Sequence, residues 1–205
     1  MRPLPLLVCI RTMLETALEK FPFRTKLTEG TPCSIRPMDA QDEQAFREFH
    51  AVIPEREQLF IRSQIKDGTL FHKWTDKPDF GRNLPLLAFV DGNLVAMVTL
   101  HQRLGGWKRH IGKVYFLTHP DYHGRGLINQ LLTLIIEVAE HCGLTKLESE
   151  LNGERTVAIE AMGAAGFEEL VRLPKYIQDM QSHRHDYVLM GMNLVASFDN
   201  LGAGD

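Results

Sequence analysis

The turn His123-Gly124-Arg125-Gly126 is the stretch of this 205-residue chain whose residue types and spacing most clearly point to chemistry. Glycine lets main-chain N–H groups approach a ligand with no Cβ atom in the way. His123 and Arg125 can add side-chain donors. A helix is predicted to start here, and the first turn of a helix has unpaired N–H groups and a positive dipole end. The pattern therefore predicts an anion site, with a phosphate-bearing ligand as the first hypothesis.

The segments on either side of this turn would hold it in place. Val114 to Thr118 is β-branched and aromatic, which is typical of a buried strand. An apolar helix is predicted from Gly126 to about His141, ended by Gly143. The turn lacks the Gly-Lys-Ser/Thr of a Walker loop and the third glycine of a dinucleotide fingerprint. A plain strand-to-helix turn that binds nothing remains the alternative.

The rest of the chain alternates between short strands and helices. The clearest hairpin has Asp91-Gly92 at its turn. A polar, irregular stretch from Thr69 to Asn83 is typical of a cleft wall or of a plain surface connection. In chain order the predicted elements are strand Cys33–Arg36, helices Ala40–Ala51 and Glu57–Lys66, strands Leu84–Val90, Leu94–Gln102 and Lys113–Thr118, the helix after Gly126, strand Thr145–Leu151, helix Glu154–Ala165, and strands Glu169–Leu173 and Asp186–Leu194.

Length and composition predict one sizeable domain with extensions. The chain has 44% hydrophobic and 24% charged residues, as ordinary globular proteins do. Its formal charge of −3 argues against a nucleic-acid partner. Residues 1–32 are predicted to be an N-terminal helix, from Pro5 to Lys20, followed by a linker from Phe21 to Pro32. Residues 33–197 form the predicted domain, and residues 198–205 a flexible tail. The helix would dock on the domain or on a second subunit.

The three cysteines and the hydropathy profile predict the compartment. Cys9, Cys33 and Cys142 are odd in number and lack metal-ligand spacing, so we expect reduced thiols, no metal and a cytoplasmic protein. No apolar run is long enough to span a bilayer, so no membrane partner is expected.

The run from His119 to Leu132, HPDYHGRGLINQLL, resembles the acetyl-coenzyme A signature of the GNAT superfamily of N-acetyltransferases. That signature is Arg/Gln-x-x-Gly-x-Gly/Ala, entered from a strand that ends near a proline and followed by a helix with Leu-Leu. His123 stands where Arg or Gln is usual, and Ile128 where Gly or Ala is usual. The positions that fit are Pro120, Tyr122, Gly124, Arg125, Gly126, Leu131 and Leu132.

The order of elements also resembles the GNAT fold, from about Cys33 to Val195. Ala158-Ile159 and Gly166-Phe167 are similar to the family's late helix, where Arg155 replaces a frequent Asn and Met162 a frequent Tyr. The resemblance implies an α/β (α+β) fold. Its central sheet would be mixed but mostly antiparallel, with six to seven strands, a splay between the two middle strands and helices on both faces.

The resemblance also implies where acetyl-coenzyme A, as co-substrate, would bind. The pantetheine arm would pair with strand backbone in the splay, and the diphosphate would lie over the glycine turn. A main-chain N–H near Leu117 or Thr118 would polarise the thioester carbonyl. The implied cofactor contacts are Phe116, Leu117, Thr118, His123, Gly124, Arg125, Gly126, Leu127, Ile128 and Asn152.

Catalytic residues follow less directly from the resemblance. Many family members use the late-helix tyrosine as the acid, which Met162 cannot replace, so Tyr115 or Tyr176 would take that role. Glu148 and Glu150 lie two apart on one strand face and rank first as general base, ahead of His110 and His185. A solvated strand face is the alternative for both glutamates. Trp74, His185 and Tyr187 are expected to contact the acceptor.

The predicted activity is transfer of an acetyl group from acetyl-coenzyme A to a primary amine by direct attack in a ternary complex. The acceptor stays open between small molecules and peptides. One alternative is a module that binds an acyl-coenzyme A without turnover, as the departures at Ile128, Arg155 and Met162 would favour. The other is a partner protein that forms a homodimer through its first twenty or so residues.

Overall fold

One eight-stranded sheet runs through the part of the chain that the computed structural model describes, which is residues 14–54, 57 and 79–195. The strands are β1 (Phe23–Lys26), β2 (Pro32–Pro37), β3 (Asn83–Val90), β4 (Asn93–His101), β5 (Ile111–Thr118), β6 (Lys146–Asn152), β7 (Glu168–Gln178) and β8 (Arg184–Asn193). The α-helices of these residues are α1 (Glu43–Val52), α2 (Leu127–His141) and α3 (Thr156–Ala164), and residues 14–18 are also helical.

The strand order in the sheet is β1-β2-β3-β4-β5-β6-β8-β7. Every neighbouring pair is antiparallel except β5 and β6, which run parallel. The β3–β4 hairpin turns at Asp91 (φ 49°) and Gly92 (φ 81°), the two positive φ angles that a tight hairpin turn needs. The predicted hairpin is therefore confirmed.

Helices cover both faces of the sheet, as the resemblance implied. Helix α2 buries an apolar stripe that includes Leu127, Leu131, Ile135 and Val138 against strands β3 to β6. These residues recur at helical spacing and so share one face of the helix. Helix α1 covers the opposite face with a smaller cluster around Phe46. The sheet lies between these two layers because successive strand residues point to opposite faces.

Within the described residues the sheet has eight strands rather than six to seven, because β1 lies where a linker was predicted. Phe23–Lys26 pairs with β2 from Phe23↔Ile35 to Lys26↔Pro32. The linker prediction was wrong over these residues, since a four-residue strand with two charged side chains shows no clear period. Before it, Leu14 and Ala17 are buried in the main core, so the described end of the N-terminal segment docks on the domain.

Other boundaries shift by a few residues. Asp39 caps a 3-10 turn, Ala40–Asp42, before α1 begins at Glu43. Strand β7 continues through Pro174, where a break was predicted; its register against β8 shifts between Leu173 and Ile177, and an edge strand tolerates proline there. Residues 58–78 and 196–205, which include most of the second predicted helix and the tail, lie outside the described residues. Within the described ranges no helix is both long and apolar enough to cross a bilayer.

Candidate functional site

The two parallel middle strands diverge, as expected. β5 and β6 pair only through Ile111↔Lys146, Gly112↔Leu147 and Lys113↔Glu148. A Cβ on Gly112 would lie 2.7 Å from a methyl of Leu144, so glycine permits the close approach at the paired end. Beyond this point β5 stays paired with β4 as far as Thr118, and β6 with β8 as far as Asn152. A gap therefore opens between the facing edges of β5 and β6.

A cleft of about 790 Å³ lies along this gap. Its walls are the end of β5, the glycine turn, the first turn of α2, the end of β6 and one side of α3. Its volume is within the range of about 300–1,000 Å³ that is common for small-molecule sites. Most of the residues predicted to contact the cofactor line it: Phe116, Thr118, His123, Gly124, Gly126, Leu127, Ile128 and Asn152.

The glycine turn presents main-chain donors to this cleft. Gly124 (φ 74°) and Gly126 (φ 77°) are both in the left-handed region, which favours glycine. Gly126 is the N-cap of α2, so it has no side chain to satisfy the N–H groups of the first turn. The residues of this first turn, from Leu127 to Asn129, line the cleft. Unpaired amides and the helix dipole both favour an anion at this position.

Two of the residues predicted to contact the cofactor contact other parts of the protein instead. The Arg125 guanidinium lies 2.9 Å from a carboxylate oxygen of Glu29 and stacks on the Tyr122 ring, 4.9 Å from its centroid. Leu117 packs against the smaller cluster under α1, on the opposite face of β5 from Phe116. Neither Arg125 nor Leu117 lines the cleft. In contrast, His123 does, and its Nε2 lies 3.3 Å from the carbonyl oxygen of Thr118, which ties the turn to β5.

The two candidate bases lie together on β6. Neighbouring side chains of β6, such as Leu147 and Leu151, belong to the main core, so Glu148 and Glu150 share the other face. Glu148 is buried and lies 3.4 Å from Nζ of Lys108. Glu150 is about a third exposed, at 36% of its side chain, and is ion-paired with Lys113. Each carboxylate thus has a lysine partner on this face.

Two tyrosines are close to the glutamates. Burial first, and then the charges of Glu150 and Glu148, raise the pKa of Tyr187 to about 12, and Tyr115 acts in the same direction. Tyr187 is paired with Asn152 on β6, at the open end of the gap, and its ring lies 5.8 Å from that of Tyr176. The structure therefore brings Tyr115, Glu148, Glu150 and Tyr187 together, and we call them the acidic–aromatic cluster.

His185, expected beside the acceptor, lines the same cleft as the glycine turn. Its Nδ1 lies 2.9 Å from Glu154 and its Nε2 2.9 Å from Asp179. The hydrogen bond with Asp179, followed by that with Glu154, raises the pKa of His185. Burial alone would raise the pKa of Asp179, but hydrogen bonds from His185 and from main-chain N–H groups lower it to about 2. Trp74, the third expected acceptor contact, lies outside the described residues.

Sequence reasoning did not assign Arg155 and Thr28 to the site. Both line the cleft. Arg155 lies 3.3 Å from Glu57, and its guanidinium is 5.7 Å from the Phe116 ring centroid. Burial lowers the pKa of Arg155, while Glu57 opposes that shift. The replacement of a frequent Asn by Arg155 was a signal for its place; Thr28, within the predicted linker, had none.

Met162, Cys33 and Cys142 are all buried. Met162 is fully buried, at 0% exposure, so the family's tyrosine position faces the core in this chain. Cys33 and Cys142 are free and buried, and burial raises the pKa of each thiol to about 11. Across residues 14–54, 57 and 79–195, no group of three or more His, Cys, Asp or Glu side chains is arranged to hold a metal ion.

The mixed sheet opens at its middle beside a glycine turn, as the resemblance to acetyltransferases implied. Residues 44–167, more than half of the chain, match the acetyltransferase (GNAT) family, and the chain belongs to that family. It is 30% identical over 98 residues to Acetyltransferase SG1711 of Sodalis glossinidius (strain morsitans). That match covers 44% of this chain and 66% of the relative, just under two thirds of its length.

Solved structures show the same fold. The GNAT domain of S. lividans PAT superposes with a TM-score of 0.68 at 20% identity, over 83% of this chain and 96% of that one. YncA from Salmonella typhimurium, solved with its cofactor acetyl-CoA, superposes with a TM-score of 0.64 at 16% identity, over 84% of this chain and 98% of that one. The mixed, mostly antiparallel fold predicted from the sequence is therefore confirmed.

Proposed function

We propose that this protein is an N-acetyltransferase that moves an acetyl group from acetyl-coenzyme A to a primary amine by direct attack in a ternary complex. The observation that carries the proposal is the cleft of about 790 Å³ between the unpaired ends of β5 and β6, next to the start of α2. Family membership supports the reaction class. The cofactor named for YncA supports the co-substrate.

Coenzyme A would occupy two parts of the cleft, one for its diphosphate and one for its pantetheine arm. Gly124 borders the cleft, and no atom lies within 4 Å of where its Cβ would be, so the backbone is open to a ligand. The diphosphate would lie over this turn and the amides of the first turn of α2. The pantetheine arm would run between β5 and β6, beside Phe116, Thr118 and Asn152. There it would lie between the edges of β5 and β6, which do not pair with each other beyond Lys113 and Glu148.

Residues of β5 and β6 would carry the chemistry. A main-chain N–H near Leu117 or Thr118, at the end of β5 beside the gap, would donate to the thioester oxygen as negative charge develops. A lysine-like ammonium, of pKa about 10.4, must lose a proton before it attacks. We assign this proton to Glu148 or Glu150, and the return of a proton to the leaving thiolate to Tyr115. Tyr187, kept neutral by its raised pKa, would hydrogen-bond the acceptor.

A second candidate function is that of an acyl-coenzyme A-binding module without turnover. The burial of Met162 favours it, because the tyrosine acid that many family members use has no equivalent at this position.

Calorimetry with coenzyme A, followed by acetyl transfer from acetyl-coenzyme A to a panel of amines, separates the two. The panel would hold a polyamine, an aminoglycoside, a peptide with a free N-terminus and a lysine peptide. Binding together with transfer to one of them supports the transferase. Binding without transfer to any supports the module, and a chain that does not bind coenzyme A contradicts both.

The assembly and the compartment remain predictions. A cytoplasmic protein with an amine acceptor, and without nucleic-acid or membrane partners, is the arrangement we propose. A homodimer would involve the N-terminal helix, most of which lies outside the described residues. Removing residues 1–13 and measuring the molecular mass by light scattering tests the homodimer. An unchanged number of chains per particle would contradict it.

A further inference from the structure

The turn between β1 and β2, residues 27–31, contributes one residue, Thr28, to the cleft lining, and the family match does not include it. The match begins at residue 44, whereas Thr28 lines the cleft beside Gly126 and Leu127. This part of the lining therefore comes from a segment that precedes the matched region, and it lies beside the start of α2.

Three polar contacts fasten this turn to the start of α2. The N–H of Thr28 donates to the carbonyl oxygen of Arg125 at 3.2 Å. The Arg125 guanidinium pairs with Glu29 at 2.9 Å. The Gln130 side chain donates to the carbonyl oxygen of Lys26 at 2.8 Å. Because these contacts come from both sides of the turn, Thr28 is held in a defined place relative to the glycine turn.

The hydroxyl of Thr28 lies directly beside the N-cap of α2. A Cβ built on Gly126 would be 2.9 Å from Oγ1 of Thr28. The hydroxyl and the first amides of α2 therefore border the same end of the cleft. That is the end at which the proposed function places the diphosphate.

We propose that Thr28 is a ligand of the coenzyme A diphosphate, an inference that rests on the proposed function. Its hydroxyl donates a hydrogen bond to a diphosphate oxygen and supplements the main-chain donors of the glycine turn. A hydroxyl is suited to this because it can rotate toward an anionic acceptor, and hydrogen bonds to charged oxygens are the stronger ones. The β1–β2 turn is thus a second side of the diphosphate site.

The test compares two ligands and three variants by calorimetry. Coenzyme A contains the diphosphate and pantetheine lacks it. Thr28→Val removes the hydroxyl at nearly constant shape, Thr28→Ser keeps it, and Thr25→Val makes the same change in β1 outside the cleft lining. We expect Thr28→Val to weaken coenzyme A binding on the order of tenfold, the usual size for a hydrogen bond to a charged group. Pantetheine binding should stay as in the wild type, and so should coenzyme A binding by the other two variants.

The outcomes separate the inference from the proposed function. Wild-type affinity of Thr28→Val for coenzyme A overturns the role of Thr28 and leaves the transferase standing. An equal loss for coenzyme A and pantetheine also overturns it, because the change would then act through the shape of the cleft. Failure of the wild-type chain to bind coenzyme A contradicts the proposed function instead. If Thr28→Val does not fold, Thr28→Ala supplies the same comparison.

Discussion

Glu148 is the side chain to which we assign the proton transfer of the proposed reaction, and it lies beside the gap between β5 and β6 without lining the cleft at the glycine turn. It is buried, shares a strand face with Glu150 and belongs to the acidic–aromatic cluster with Tyr115 and Tyr187. Burial keeps a carboxylate away from competing water, while the ion pair with Lys108 holds it in place. The burial of Glu148 contradicts the alternative of a solvated strand face there. Its role as a base stays a prediction.

Glu148→Gln tests that role through the dependence of its effect on pH. We expect turnover at pH 7 to fall about a hundredfold, at the lower end of general-base contributions. The loss should shrink as the pH approaches the amine pKa of about 10.4, because the free amine then needs no base. Turnover is measured from pH 6 to 10 with Glu150→Gln in parallel. A loss that is constant with pH in both variants would remove both glutamates from the role.

At the scale of elements, the glycine turn depends on backbone conformations that few side chains adopt. Gly124 and Gly126 both have positive φ, but only Gly126 has a neighbour, Thr28, close to where a Cβ would be. Gly163, within α3, has ordinary helical geometry and open space around its Cβ position. These three glycines allow the strain of the turn to be measured against a position without strain.

Alanine at each of these positions should change stability with a different sign or size. We expect Gly124→Ala to lower the free energy of unfolding by about 1–2 kcal/mol, the cost of left-handed backbone for a residue with a Cβ. Gly126→Ala should cost more, since its methyl also displaces Thr28. Gly163→Ala should stabilise by about 0.5–1 kcal/mol, since alanine is favoured within a helix. Urea denaturation measures all three, and a stable Gly126→Ala would contradict the geometry of the turn.

The β7–β8 turn and the β6–α3 loop are linked by one histidine. His185 contacts Glu154 on the loop and Asp179 on the turn, and His183 also lies 3.4 Å from Asp179. Because the folded pKa of His185 is raised, its contribution to stability is fully present below the unfolded value of about 6.5. It is lost as the pH rises through the folded value.

His185→Gln should therefore lower the melting temperature most near pH 5.5 and progressively less above pH 7. Asp179, with a pKa of about 2, stays ionised over this range. Thermal unfolding from pH 5 to 9 measures the difference between variant and wild type. The same exchange at His110, on the loop between β4 and β5, controls for the loss of a histidine elsewhere. A difference that grows with pH would contradict the pairing.

At the scale of the whole molecule, the proposed ligand touches elements that are far apart in sequence. Thr28 precedes β2, Phe116 lies on β5, and Arg155 precedes α3, yet all three line one cleft. A ligand that binds only this folded arrangement stabilises the entire chain by mass action.

Coenzyme A should accordingly raise the melting temperature. At a concentration one hundred times Kd, the gain in unfolding free energy is about 2.7 kcal/mol. For a chain of this size, that gain corresponds to a shift of about 5–10 °C. Differential scanning calorimetry measures the shift, with pantetheine as a comparison that should stabilise less. An unchanged melting temperature at saturating coenzyme A would contradict the proposed cleft.

The sequence by itself determined the features that depend on neighbours along the chain. The helix from Leu127, the hairpin at Asp91-Gly92 and the glycine turn were all predicted at nearly their observed bounds. Helical and strand periods, and the freedom of glycine at positive φ, are local properties that a linear pattern displays. The family signature has the same local character, because it describes one strand-turn-helix unit.

Only the tertiary structure decided which distant residues meet. It paired β1 with β2, joined Arg125 to Glu29 instead of the cleft, set Thr28 beside Gly126 and placed His185 on the side of the glycine turn. It also buried Met162, which the resemblance aligns with a tyrosine. Such contacts depend on how strands are ordered and how helices pack on them, and no periodicity within a short window specifies that order.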